Sequence, residues 1–214
     1  MKALLAALLP LAPMMTACGG NTPDALPADP IQRAAACGAV AAAQARTGLA
    51  VTADMPVAGQ GATLRPALLA GSAGGSFDTA ATAAVVDALP AAGKDLDEKR
   101  VATLAPLCAQ AFPLPAGPVA LPSDPLTTAL GCDELGEFMR RALESQPDGY
   151  AAETARYFAL NRALDAAIAP LFARRGIRAV DAQQAEAKKA MAAIVKTGEP
   201  SAVLDACSAR FVDR

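Results

Sequence analysis

The chain of 214 residues contains no histidine and no tryptophan, and its aromatic content is only 4%. Without histidine there is no Ser-His-Asp or Cys-His arrangement for nucleophilic catalysis. The common zinc sites are excluded for the same reason, since the five cysteines form no CxxC pair either. No SxxK sequence offers serine–lysine chemistry. The glycine-rich run Gly71-Ser72-Ala73-Gly74-Gly75-Ser76 lacks the Lys-Ser/Thr ending of a phosphate-binding loop and reads as an ordinary loop. Charge of one sign is also missing: the net charge is −2 and no basic stripe stands out. Nucleic-acid binding is therefore not expected. Neither a cofactor nor a metal is implied by any motif.

What the chain does have is an echo of itself. Ala25–Cys37 reads ALPADPIQRAAAC and Ala120–Cys132 reads ALPSDPLTTALGC, identical at seven of thirteen positions without a gap. Cys108 and Phe112 in CAQAF match Cys207 and Phe211 in CSARF. Two copies of one unit are expected, at residues 29–112 and 124–214, joined by a proline-rich linker over 113–123. Four cysteines fall two to a copy, and the repeat pairs Cys37 with Cys108 and Cys132 with Cys207, at separations of 71 and 75 residues. Two other connectivities use the same four residues.

The fifth cysteine belongs to the N-terminus. Residues 1–17 hold Lys2, a Leu/Ala-rich run and then Thr16-Ala17, the layout of a bacterial export signal. The run is too short and too interrupted, at Pro10 and Pro13, to span a membrane. Met15-Thr16-Ala17-Cys18 resembles the cleavage region of bacterial lipoproteins, with methionine in place of the usual leucine. That resemblance covers about twenty residues and implies lipidation at Cys18, with residues 18–28 as a flexible tether. The other use of the same segment is cleavage after Ala17, leaving a free thiol. With the lipid the folded body is expected in the periplasm or cell envelope, and without it secreted; disulfides persist in both settings.

The pattern between these landmarks is helical. Asp29-Pro30 and Asp124-Pro125 each place an N-cap before a proline at the first helical position. Gln32 completes a capping box in the first copy, and Thr127 stands in the weaker equivalent place in the second. In the second copy a buried stripe is expected along Leu126, Leu130, Leu135, Phe138, Met139, Ala142 and Leu143. A second helix is expected over 150–173, with Tyr150, Tyr157, Phe158, Leu164, Ile168, Leu171 and Phe172 inward and a kink or break at Pro170. Arg174-Arg175-Gly176 ends it. Asp181 with Gln184 opens a third helix, and Pro200 a fourth carrying Val203, Leu204, Cys207 and Phe211. The alanine-rich first copy is expected to hold helices at 30–46, 63–70, 77–90 and 95–111, with loops at 47–61 and 71–76. No strand pattern is convincing. The fold class is all-α.

For function, the missing catalytic groups point to a non-enzymatic, lipid-anchored binding or structural module with the membrane and an envelope protein as partners. The binding candidates are Tyr157, Asn161 and Arg162, set among Glu153, Arg156 and Asp165 on one helix, because aromatic and arginine side chains dominate binding hot spots. A periplasmic stress chaperone is the alternative reading. An enzyme using the carboxylates of Asp133, Glu134 and Glu137 is a third; those residues also fit dipole complementation and pairing with Arg140 or Arg141.

Overall fold

In the computed structural model, residues 25–146 and 149–213 are described. The expectations at Cys18 and at the export signal lie outside them. Eight α-helices and no strand form among the described residues: α1 (Pro30–Ala45), α2 (Val57–Gly71), α3 (Thr79–Gly93), α4 (Glu98–Ala111), α5 (Pro125–Glu144), α6 (Ala151–Arg175), α7 (Val180–Ile194) and α8 (Pro200–Phe211). The chain is all-helical, with four helices on either side of the proline-rich segment. In each half the first helix is central: α1 packs against α2, α3 and α4, and α5 against α6, α7 and α8.

Helix starts follow from local chemistry. The Asp29 carboxylate accepts the Gln32 backbone N–H at 2.8 Å, with Pro30 in the first turn. Asp124 accepts both the backbone N–H of Thr127 at 2.8 Å and its hydroxyl at 2.7 Å, so threonine reinforces the cap. These bonds from Thr127, together with the Arg175 guanidinium beside it, hold the Asp124 carboxyl below its usual range. Asp78 and Asp97 cap α3 and α4 in the same way. The stop after α6 is a Schellman turn: Gly176 sits at φ +67°, and the Ile177 N–H reaches back to the Phe172 carbonyl at 3.1 Å.

Both disulfides join the first helix of a half to its last. Cys37 and Cys108 have Cα atoms 5.3 Å apart, and Cys132 and Cys207 5.9 Å apart. Two such bridges fit an oxidising, extracytoplasmic setting. No helix among the described residues is long and apolar enough to cross a membrane.

The cores of the two halves differ, as the uneven distribution of bulky residues implies. The largest cluster gathers Cys132, Leu135, Met139, Leu143, Tyr157, Leu160, Leu164, Met191, Ile194, Leu204 and Cys207. It also takes Leu64 and Leu68 from α2, which packs on α7 and α8. The first half holds two small clusters of its own, one built on Ala34, Ala35, Ala67 and Val85, the other on Cys37, Val40, Leu104 and Cys108. At ~25 cal/mol per Å², alanine contacts contribute little. The first half is therefore completed by the second, with α2 as the shared wall.

Several expectations are corrected. Helix α2 starts at Val57, inside the segment 47–61 read as loop. Its glycines lower helix propensity, but they are required by close packing. A Cβ on Gly61 would lie 1.8 Å from the Glu199 carboxylate. Pro170 does not break α6, which runs on to Arg175 because Phe172 is buried and Gly176 caps the end. Asp181 is not the cap of α7: the helix begins at Val180, with Ala179 at the N-cap and Asp181 in the first turn. Phe158 is not inward. It is 54% exposed, while Leu160, three residues after Tyr157 and four before Leu164, is fully buried in its stead.

The last correction yields a prediction. Leu160→Ala is expected to cost about 2–5 kcal/mol of stability by opening a core cavity, and Phe158→Ala to stay within about 0.5 kcal/mol. Urea unfolding of the two variants checks the assignment; equal losses would reverse it.

Candidate functional site

A long concavity lies between the halves. Helix α5 supplies one long side with Glu134, Glu137, Phe138, Arg141, Ala142 and Ser145, positions that recur every three or four residues over three turns. At 1.5 Å per residue that face is about 16 Å long. Helix α3 faces it with Thr79, Thr82, Ala83, Val86 and Asp87, again one helical stripe. Leu64 of α2 and Met191 of α7 close the bottom, and Phe77 stands at the start of α3. The groove has a volume of about 740 Å³. Pockets for small ligands run to about 300–1,000 Å³ and are mostly apolar with a few placed polar groups.

Two cross-half links flank this groove. The Phe77 backbone N–H donates to the Lys188 carbonyl at 3.0 Å, tying the α2–α3 turn to α7. The Gln60 side-chain amide donates to the Tyr150 hydroxyl at 2.9 Å, and that hydroxyl donates to the Met55 carbonyl at 2.6 Å. A third link lies behind it. Arg65, only 6% exposed, donates to the carbonyls of Phe112 at 2.7 Å, Pro113 at 2.6 Å and Gly198 at 3.3 Å. Burial lowers the pKa of this guanidinium, and the charge of nearby Glu199 opposes that effect. Glu199 in turn caps α8, accepting the N–H groups of Ser201 and Ala202 at 3.1 Å each.

The charges along the α5 side are unequal. Arg140 donates to Glu137 at 2.8 Å and also pairs with Glu144, while Arg141 donates to Glu137 at 2.6 Å. Burial would raise the Glu137 carboxyl, but the hydrogen bonds from both arginines outweigh it and the net shift is downward. Glu134, one turn earlier on the same face, is pushed up first by loss of solvent around its carboxyl and then by the charge of Asp133 beside it. Asp133 is itself raised, by burial first, although the Asn161 amide bonds it. A carboxylate held between two guanidinium groups acts as a structural bridge. Glu137 is thus committed, whereas Glu134 enters no ion pair among the described residues.

The three binding candidates of α6 do not converge. Tyr157 is fully buried in the main core, with the Arg156 guanidinium 5.2 Å from its ring centroid. Asn161 braces α6 against α5, its amide donating to the Asp133 carbonyl at 2.8 Å and carboxylate at 2.7 Å. Arg162 is exposed on the surface. Among the neighbours named with them, Arg156 pairs with Asp205 at 2.8 Å. The groove residues on α3 and α7 went unrecognised in the sequence, because Thr, Ala and Gln at helical spacing look like a solvated face. No group of side chains suited to holding a metal ion is found among the described residues.

Compared with known protein families, curated proteins and solved structures, the chain finds no match.

Proposed function

We propose that this chain is a non-enzymatic binding module of the cell envelope that takes an apolar ligand in the groove between its halves. The carrying observation is that groove: about 740 Å³, with Leu64, Phe77, Val86, Phe138 and Met191 making its exposed lining mainly apolar, although polar and charged side chains from all its walls share it. Export by residues 1–17 and lipidation at Cys18 place the module at a membrane, close to a source of apolar chains. An envelope protein is the partner to which such a ligand passes.

The two halves are read as diverged copies of one unit. Support comes from the matching segments that open each half, from the Asp-Pro helix starts, and from four helices clamped first to last by one bridge on each side. On this reading, the second copy kept a full core and the first became the lid wall of the groove.

The test is a chain-length series of neutral alkyl maltosides, each titrated calorimetrically into the oxidised protein below its micelle concentration. Each added methylene is expected to strengthen binding about fourfold, the equivalent of ~0.8 kcal/mol, until the groove is full. Ala83→Trp, which narrows the groove from its exposed α3 wall, is expected to weaken binding about tenfold or more. The chain has no tryptophan, so the emission of that single indole also reports ligand arrival. Affinity independent of chain length would overturn the reading. Binding that appears only after reduction of the disulfides would favour the stress chaperone instead.

A further inference from the structure

We propose that the groove selects single-chain amphiphiles with a cationic head, the chain lying on Leu64, Phe77, Val86 and Phe138 and the head drawn by the carboxylates of Glu134 and Asp87 on the groove walls. This rests on the binding reading above and adds to it a choice of ligand charge.

Five charged side chains line the groove: Asp87, Glu134, Glu137, Arg141 and Lys188. Glu137 and Arg141 cancel within their own bridge, with Arg140 on the far side. Glu134 and Asp87 enter no ion pair among the described residues and come from opposite walls, α5 and α3. Beside the burial that leads the upward shift of its carboxyl, Glu134 has the like charges of Asp133 and Glu137 near it, offset in part by Arg141. Lys188 is the rim cation outside an ion pair among the described residues, and it stands on the third wall, α7. A cationic head therefore relieves like-charge crowding at Glu134 while its chain covers apolar surface. An anionic head gains Lys188 and meets two unpaired carboxylates. The size argues for a small amphiphile: about 740 Å³ suits one chain and one head, and hydrogen-bonded links flank the groove.

The experiment compares three heads on one ten-carbon chain, decyltrimethylammonium, decyl maltoside and decanoate, titrated below their micelle concentrations into the oxidised full chain. The ammonium ligand is expected to bind at least about fivefold more tightly than either of the others, the scale that two partly exposed charges supply. Combining Glu134→Gln with Asp87→Asn is expected to bring the three affinities within about twofold of one another. Raising the salt concentration should shrink the preference in the native chain. Decanoate binding as tightly as the ammonium ligand, or a preference that survives in the double variant, overturns the charge selectivity while the chain-length series still stands. Failure of all three ligands to bind overturns the groove reading with it.

Discussion

Arg65→Leu is expected to lower unfolding stability by about 2–4 kcal/mol, read as a shift of the urea midpoint. The side chain is nearly enclosed and donates to three backbone carbonyls that belong to the end of α4, the linker and the turn before α8. Removing it leaves those acceptors without donors, and a buried acceptor left unpaired costs ~1–3 kcal/mol. Pro113 is exposed, so water can satisfy its carbonyl, whereas Gly198 is buried and has no such recourse. Arg65→Lys is expected to recover only part of the loss, since a single ammonium on a flexible stem does not reproduce the planar fork. A loss below about 1 kcal/mol in the leucine variant would mean that the link between the halves is carried elsewhere.

The second large effect concerns the bridges. Replacing Cys132 and Cys207 together by alanine is expected to destabilise the protein by about 2–5 kcal/mol. The chain-entropy relation gives about 4 kcal/mol for a closed loop of this length. Both sulfurs lie inside the main core, so alanine also leaves unfilled volume there. The Cys37–Cys108 bridge should differ in accessibility. It borders a small surface cavity with Phe112 and Leu114, while Cys132 and Cys207 are wholly buried. Thiol attack needs access. Timed reduction followed by alkylation and mass mapping is expected to label 37 and 108 before 132 and 207. The reverse order, or an unchanged urea midpoint in the double alanine variant, would contradict this account.

Where side-chain periodicity met bulky residues, the fold was readable from the chain. Leu126, Leu130, Leu135, Met139 and Leu143 recur at helical spacing and all are buried on α5. The caps at Asp29 and Asp124 and the stop at Gly176 were equally legible, because each rests on local backbone chemistry. The disulfide pairing was legible only through the internal echo. What escaped was set by tertiary contact. Gly61 of α2 looks like a loop residue until the start of α8 is laid against it, as do Gly59 until Ala45 and Met55 close on it and Gly71 until Thr82 does. Phe158 looks like core because it is aromatic, although its place on the turn points it away from Tyr157 and Leu160. The groove was illegible for a related reason. Its α5 side mixes Glu134, Phe138 and Arg141, which reads as the edge of a buried stripe. Its other walls come from helices far away in sequence, and no single window contains the site.

The loan of Leu64 and Leu68 to the second half carries a consequence for biogenesis. A polypeptide delivered N-terminus first presents α1 to α4, and can even close its first sulfur bridge, while these two leucines still face water. They find cover only after α7 and α8 arrive, more than a hundred residues later. Maturation is therefore a single late event: an isolated N-terminal fragment ends with an open greasy edge, and the cell must shield that edge until the rest of the chain has emerged.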